Sequence, residues 1–88
     1  MDRTNEPLMS AFAEVLQRRR RAAGLTQEQL AEKADVSVRF ISFLETRRRQ
    51  PTLTVIAAIS RGLGITMAEF AADIEATVAM AKGVRAPD

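Results

Sequence analysis

Thr26-Gln27-Glu28-Gln29-Leu30-Ala31-Glu32-Lys33-Ala34-Asp35-Val36-Ser37-Val38-Arg39-Phe40-Ile41-Ser42-Phe43-Leu44-Glu45 is the stretch of this 88-residue chain that decides its fold. Thr26 and Gln29 have the Thr-x-x-Gln spacing of a capping box, which opens a short helix. Leu30, Ala31 and Ala34 fall on one face of that helix, at the spacing of a buried stripe. Asp35 and Val36 then make a brief turn, and Asp tolerates the left-handed backbone better than most residues with a Cβ. Ser37 caps a second short helix over 38–45, with Ile41 and Leu44 facing inward. Two helices of seven or eight residues joined so tightly must cross at a steep angle, and the second projects from the body.

The same punctuation extends outward in both directions. Ser10 is a cap for a first helix to about Ala23, with Phe12, Val15 and Leu16 on its apolar stripe, and Gly24 supplies the left-handed stop. Beyond Glu45, Thr46 to Gln50 read as a basic loop closed by Pro51. Thr52 then caps a fourth helix in which Leu53, Ile56, Ile59 and Leu63 recur, and Gly64 ends it. Thr66 and Glu69 form another capping box for a fifth helix. No breaker follows before Gly83, so the fifth helix reaches Lys82, ~24 Å at ~1.5 Å per residue. Nothing reads as strand. The predicted fold is all-α, with five helices in one domain over residues 10–82, and 1–9 and 83–88 as flexible ends.

Composition narrows the function classes. The chain has neither cysteine nor histidine. Thiolate metal sites, disulfides and the commonest general base are therefore excluded. Aspartate and glutamate are present, but no paired acid–base or metal constellation appears, so no enzyme, cofactor or small-molecule site is predicted. No apolar run approaches the ~18 residues of a membrane helix, and residues 1–9 hold no secretory signal. A cytoplasmic protein without membrane partners is the expectation.

The net charge of +2 conceals an asymmetry. Residues 18–61 carry ten of the thirteen basic side chains and four of the eleven acidic ones, while the remainder of the chain is net acidic. A basic middle between acidic ends suits a polyanion. The projecting helix offers Val38, Arg39, Ser42 and Phe43 on its exposed face, and a major groove ~12 Å wide admits such a helix. Arg can bond guanine through two hydrogen bonds, and Val and Phe can touch a thymine methyl. The clusters Arg18 to Arg21 and Arg47 to Arg49 suit phosphates, which need cations but no particular sequence. Phe43 is balanced between base contact and packing against a partner, whereas Phe40 reads as a packing residue.

Residues 24–37, Gly-Leu-Thr-Gln-Glu-Gln-Leu-Ala-Glu-Lys-Ala-Asp-Val-Ser, resemble the phage repressor and Cro-like (XRE-type) helix-turn-helix family. So do residues 40–45, Phe-Ile-Ser-Phe-Leu-Glu, with the basic loop and Pro51 behind them. The likeness covers about residues 12–70. It implies a five-helix lambda-repressor-like domain that binds double-stranded DNA and regulates transcription. The size and long last helix are also similar to controller proteins of restriction-modification systems. The resemblance further implies that Val38, Arg39, Ser42 and Phe43 read bases. It places Gln27, Ser37, Thr46, Arg47 and Arg48 toward phosphate, to which the basic cluster adds Arg49, and makes Arg20 and Glu45 a partly buried ion pair. The family often has Gly where Arg47 stands, so an Arg there costs ~1 kcal/mol if the left-handed turn is kept.

One such unit reads only a few base pairs, so a two-fold dimer is expected on a palindromic site, with recognition helices ~34 Å apart. The stripe Phe70, Ile74 and Val78 of the last helix, 66–82, either closes the monomer core or pairs two subunits. The pairing reading assigns the dimer interface to Ile65, Met67, Phe70, Ala71, Ile74, Val78 and Ala81. RNA polymerase is a candidate further partner. The competing function class is an adaptor or antitoxin-like component that uses the same fold mainly to grip another protein.

Overall fold

A computed structural model describes residues 5–81 and 83. It contains five helices in the order α1 (Glu6–Ala22), α2 (Gln27–Ala34), α3 (Val38–Glu45), α4 (Leu53–Leu63) and α5 (Met67–Ala81). The local signals act where they stand. Thr26 and Gln29 exchange both capping-box bonds, at 2.9 and 3.1 Å. Thr66 and Glu69 do the same at 3.1 and 3.0 Å. Ser37 and Thr52 cap α3 and α4 by accepting the N–H three residues on.

α1 departs from the expected start. It begins at Glu6, because the Asn5 side chain accepts the Leu8 N–H at 3.1 Å and Pro7 occupies the first turn. Asn caps as well as Ser, and proline's missing N–H costs nothing there. Residues 6–9 are therefore helical, not part of a flexible end, and Met9 is buried. Ser10 lies inside α1, where its hydroxyl accepts a hydrogen bond from Arg47 Nη1 at 3.1 Å. Residues 1–4, 82 and 84–88 lie outside the described residues, and with them the expectation of flexible ends there.

The core is built from every helix. Val15, Leu16, Leu30, Ile41, Leu44, Ile59 and Phe70 are fully buried. α2 lies close on α4 at Gly62, where a Cβ would come within 3.1 Å of Leu30 Cδ1 and 3.3 Å of Lys33 Cβ. α5 turns away from α4 by 101° and packs along α1. The rings of Phe12 and Phe70 stack there at 5.6 Å between centroids.

This packing corrects the interface expectation. Phe70 is fully buried and Ile74 is 9% exposed within a single copy of the chain. Both belong to the monomer core, and Val78 packs against it. The longer α1 presents an apolar face that needs cover, and the stripe of α5 supplies it. Ile65 is half-buried, and Met67, Ala71 and Ala81 remain exposed.

Candidate nucleic-acid interface

The site starts at Asp35, which ends α2 in the left-handed region at φ 57° and ψ 46°. The Val36 N–H bonds back to the Ala31 carbonyl at 3.0 Å, and Val36 packs against the core. Three residues thus reverse the chain before α3 begins. Ile41, Leu44 and Glu45 form the inner face of α3 and are buried. Phe40 is half-buried and packs against the core. Val38 and Arg39 are exposed, while Ser42 and Phe43 are half-buried. At 100° per residue these four occupy one continuous arc pointing away from the core.

A polar brace holds this arc in place. Arg20 of α1 donates from Nε to Glu45 Oε2 at 2.6 Å and from Nη2 to Oε1 at 3.0 Å. Its Nη1 donates to the Leu25 carbonyl at 2.9 Å. Gln27, the first residue of α2, donates from Nε2 to Glu45 Oε1 at 3.0 Å. Glu45 therefore joins α1, α2 and α3. The hydrogen bonds to Glu45 raise the Arg20 pKa further above its ordinary value, so the guanidinium stays charged throughout. A carboxylate this buried needs such partners, because an unpaired charge there would be costly.

The loop after α3 is basic and exposed. Arg47 sits in the left-handed region at φ 64°. Around it the Arg48 N–H bonds to the Phe43 carbonyl at 2.8 Å and the Arg47 N–H to the Leu44 carbonyl at 3.3 Å. This is the double closure that usually employs glycine. Gly24 and Gly64 occupy the equivalent place after α1 and α4, at φ 72° and 75°. Thr46 Oγ1 donates to the Ser42 carbonyl at 2.8 Å. The guanidinium carbons of Arg39 and Arg49 lie 5.2 and 5.9 Å from the centre of the Phe43 ring.

Not every predicted cation faces this site. Arg18 and Arg19 both bind Asp73 of α5, at 2.8 and 2.9 Å, and Arg20 is held by Glu45. Three members of the Arg18 to Arg21 cluster thus brace the fold, which leaves Arg21. Among the described residues no ion pair engages Arg21, Arg39, Arg47, Arg48 or Arg49. Sequence reasoning missed Asp73, which lies more than fifty positions from its partners and carries no local signal. It also missed the Arg39–Phe43 contact, although four-residue spacing on a helix was a usable signal.

A helix-turn-helix family model matches residues 16–70, from the second half of α1 into α5. The chain is 33% identical over 60 residues to the uncharacterized HTH-type transcriptional regulator y4dJ of Sinorhizobium fredii, covering 68% of this chain and 78% of that one. It is 37% identical over 57 residues to the control protein C.MunI of a Mycoplasma species, covering 65% of this chain and 77% of that protein. In structure it is similar to the restriction-modification controller protein C.Esp1396I, seen as a tetramer on its natural 35 base-pair operator. The TM-score is 0.76 at 28% identity, covering 81% of this chain and 93% of that one. The match spans more than half of the chain and includes the α2–turn–α3 unit and the brace behind it: this protein belongs to the helix-turn-helix family of DNA-binding transcriptional regulators.

Proposed function

We infer that the protein regulates transcription by binding a palindromic site in double-stranded DNA as a homodimer. The observation that carries this reading is the outward arc of α3. Its inner face is spent on the core, and its outer face presents Val38, Arg39, Ser42 and Phe43 beside Arg47, Arg48 and Arg49, which no carboxylate among the described residues pairs. In the proposed complex α3 enters the major groove and those four residues meet base edges. Arg48 and Arg49, with Arg47, Thr46 and Ser37, meet phosphates at the groove walls. Gln27 gives one amide proton to Glu45 and keeps a second for a phosphate.

The proposed dimer surface is reduced by the burial of Phe70 and Ile74. It comprises Ile65, Met67 and Ala71 at the start of α5, with Val78 and Ala81 at its far end. C.Esp1396I assembles as a tetramer on its operator. For this chain a two-fold pair is the smallest assembly that doubles the readout. Where the bound site overlaps or adjoins a promoter, RNA polymerase becomes the second partner, by exclusion or by contact.

Selection of binding sites from random duplex DNA tests this directly. The expected product is one enriched palindrome with half-sites about one helical turn apart. Recovery of unenriched sequence would refute the reading, and an enriched single half-site would refute its dimer component.

A further inference from the structure

Phe43 is an aromatic ring placed among cations. Arg39 precedes it by one turn on the same face of α3, and Arg49 comes from the loop that follows. Both guanidinium carbons lie within 6 Å of its ring centre, at 5.2 and 5.9 Å. Among the described residues no carboxylate pairs with either arginine. Both guanidiniums lie against the same ring. A cation is attracted to the face of an aromatic ring, and a guanidinium lying there keeps its N–H donors for other partners. An arginine already confined loses less freedom when it binds.

We propose that Phe43 is a positioning residue for DNA recognition. Its ring holds the Arg39 guanidinium on the recognition face and ties it to Arg49, so the base preference exercised by Arg39 depends on Phe43. This rests on the DNA-binding reading above. The arrangement brings two like charges toward one ring, and the anion that completes it is the DNA backbone beside the base that Arg39 reads. At the Arg39 base pair Phe43 then acts through Arg39, apart from any base edge its own ring meets.

The test compares single-base preference profiles of the full chain on its selected site. Arg39→Ala first identifies the base pair that Arg39 reads. Phe43→Leu keeps apolar bulk but removes the ring face, and Phe43→Tyr keeps the face. Phe43→Leu is expected to lower preference at the Arg39 base pair roughly two- to fivefold, the scale of an exposed cation–π contact. Phe43→Tyr should retain it, and adding Phe43→Leu to Arg39→Ala should cost nothing more at that pair. In the free protein, NMR should show ring-current-shifted Arg39 side-chain protons in the wild type and Phe43→Tyr, and lose the shift in Phe43→Leu. A sharp wild-type profile that Phe43→Leu leaves unchanged, weakens uniformly, or alters only at a different base pair would overturn the proposal. A flat wild-type profile would remove the sequence-specific DNA-binding reading itself, and this inference with it.

Discussion

Arg20 and Glu45, twenty-five positions apart, are locked together by two hydrogen bonds of 2.6 and 3.0 Å, with the Glu45 side chain 1% exposed. The pair couples the first helix to the last turn of the projecting helix. Removing either partner strands the other in a buried setting. Arg20→Ala or Glu45→Ala should each destabilise by about 3 kcal/mol. The double variant should cost clearly less than the sum of the two. Chemical denaturation of the four proteins measures the coupling, and strict additivity would show that the two side chains do not support each other.

Arg47 holds a backbone conformation that glycine adopts without strain. Arg47→Gly should therefore stabilise the fold by up to about 1 kcal/mol, reduced by loss of the hydrogen bond to Ser10. A β-branched Arg47→Val should destabilise it. DNA affinity should fall in both, because the cation is gone. Stability and affinity then move in opposite directions in the glycine variant, and a denaturation midpoint at or below the wild type would count against strain at this position.

Ile74 and Met67 separate core from surface on α5. Ile74 is 9% exposed and Met67 is 37% exposed. Ile74→Glu places a charge in the monomer core and should cost more than about 3 kcal/mol, so it loses helicity along with assembly. Met67→Glu should keep its helicity and weaken the proposed dimer. Circular dichroism with sedimentation distinguishes the two. A well-folded Ile74→Glu monomer would restore the interface to that stripe.

Arg39 and Arg48 should differ in kind. Arg39→Ala should lose ~1–3 kcal/mol of discrimination at particular base pairs, whereas Arg48→Ala should weaken all sequences about equally. For a dimer touching about six phosphates, log K should fall with log salt at a slope near −5, and Arg48→Ala should make it shallower by about 1 for each phosphate it no longer neutralises. Titration across salt concentrations measures both, and a slope near zero would leave phosphate no role.

Glu69 links the last capping box to pH. Its carboxylate accepts the Thr66 N–H, and that bond lowers its pKa below the ordinary value. A carboxyl group whose pKa is lower folded than unfolded stabilises the fold fully above the unfolded value. That contribution fades as pH falls through the folded value. Glu69→Gln keeps an acceptor at the same place without the titrating group. Its stability should therefore decline less steeply on the acid side, as thermal melts across pH would show. Identical acid limbs would mean that the cap does not depend on the charge.

What the sequence determined by itself is whatever is decided within a few residues. The capping boxes at Thr26 and Thr66, the caps at Ser37 and Thr52, and the left-handed stops at Gly24 and Gly64 depend on neighbours three to five positions away. The α2–turn–α3 unit, and with it the outward arc from Val38 to Phe43, could be read for that reason. The start of α1 was equally local but ambiguous, because Asn5 and Ser10 are both competent caps; Glu6 and Pro7 in the first turn and the burial of Met9 favour the longer helix. Tertiary structure alone decided which surface covers the stripe of α5. Phe70 and Ile74 have the same periodicity whether they meet α1 or a second copy of the chain, and periodicity identifies an apolar face without naming its partner. The stacking of Phe12 on Phe70 and the grip of Arg18 and Arg19 on Asp73 settle that face within one chain. The same packing divides the basic cluster into struts and cations that no carboxylate among the described residues engages, since an arginine's role depends on whether the fold brings it a carboxylate.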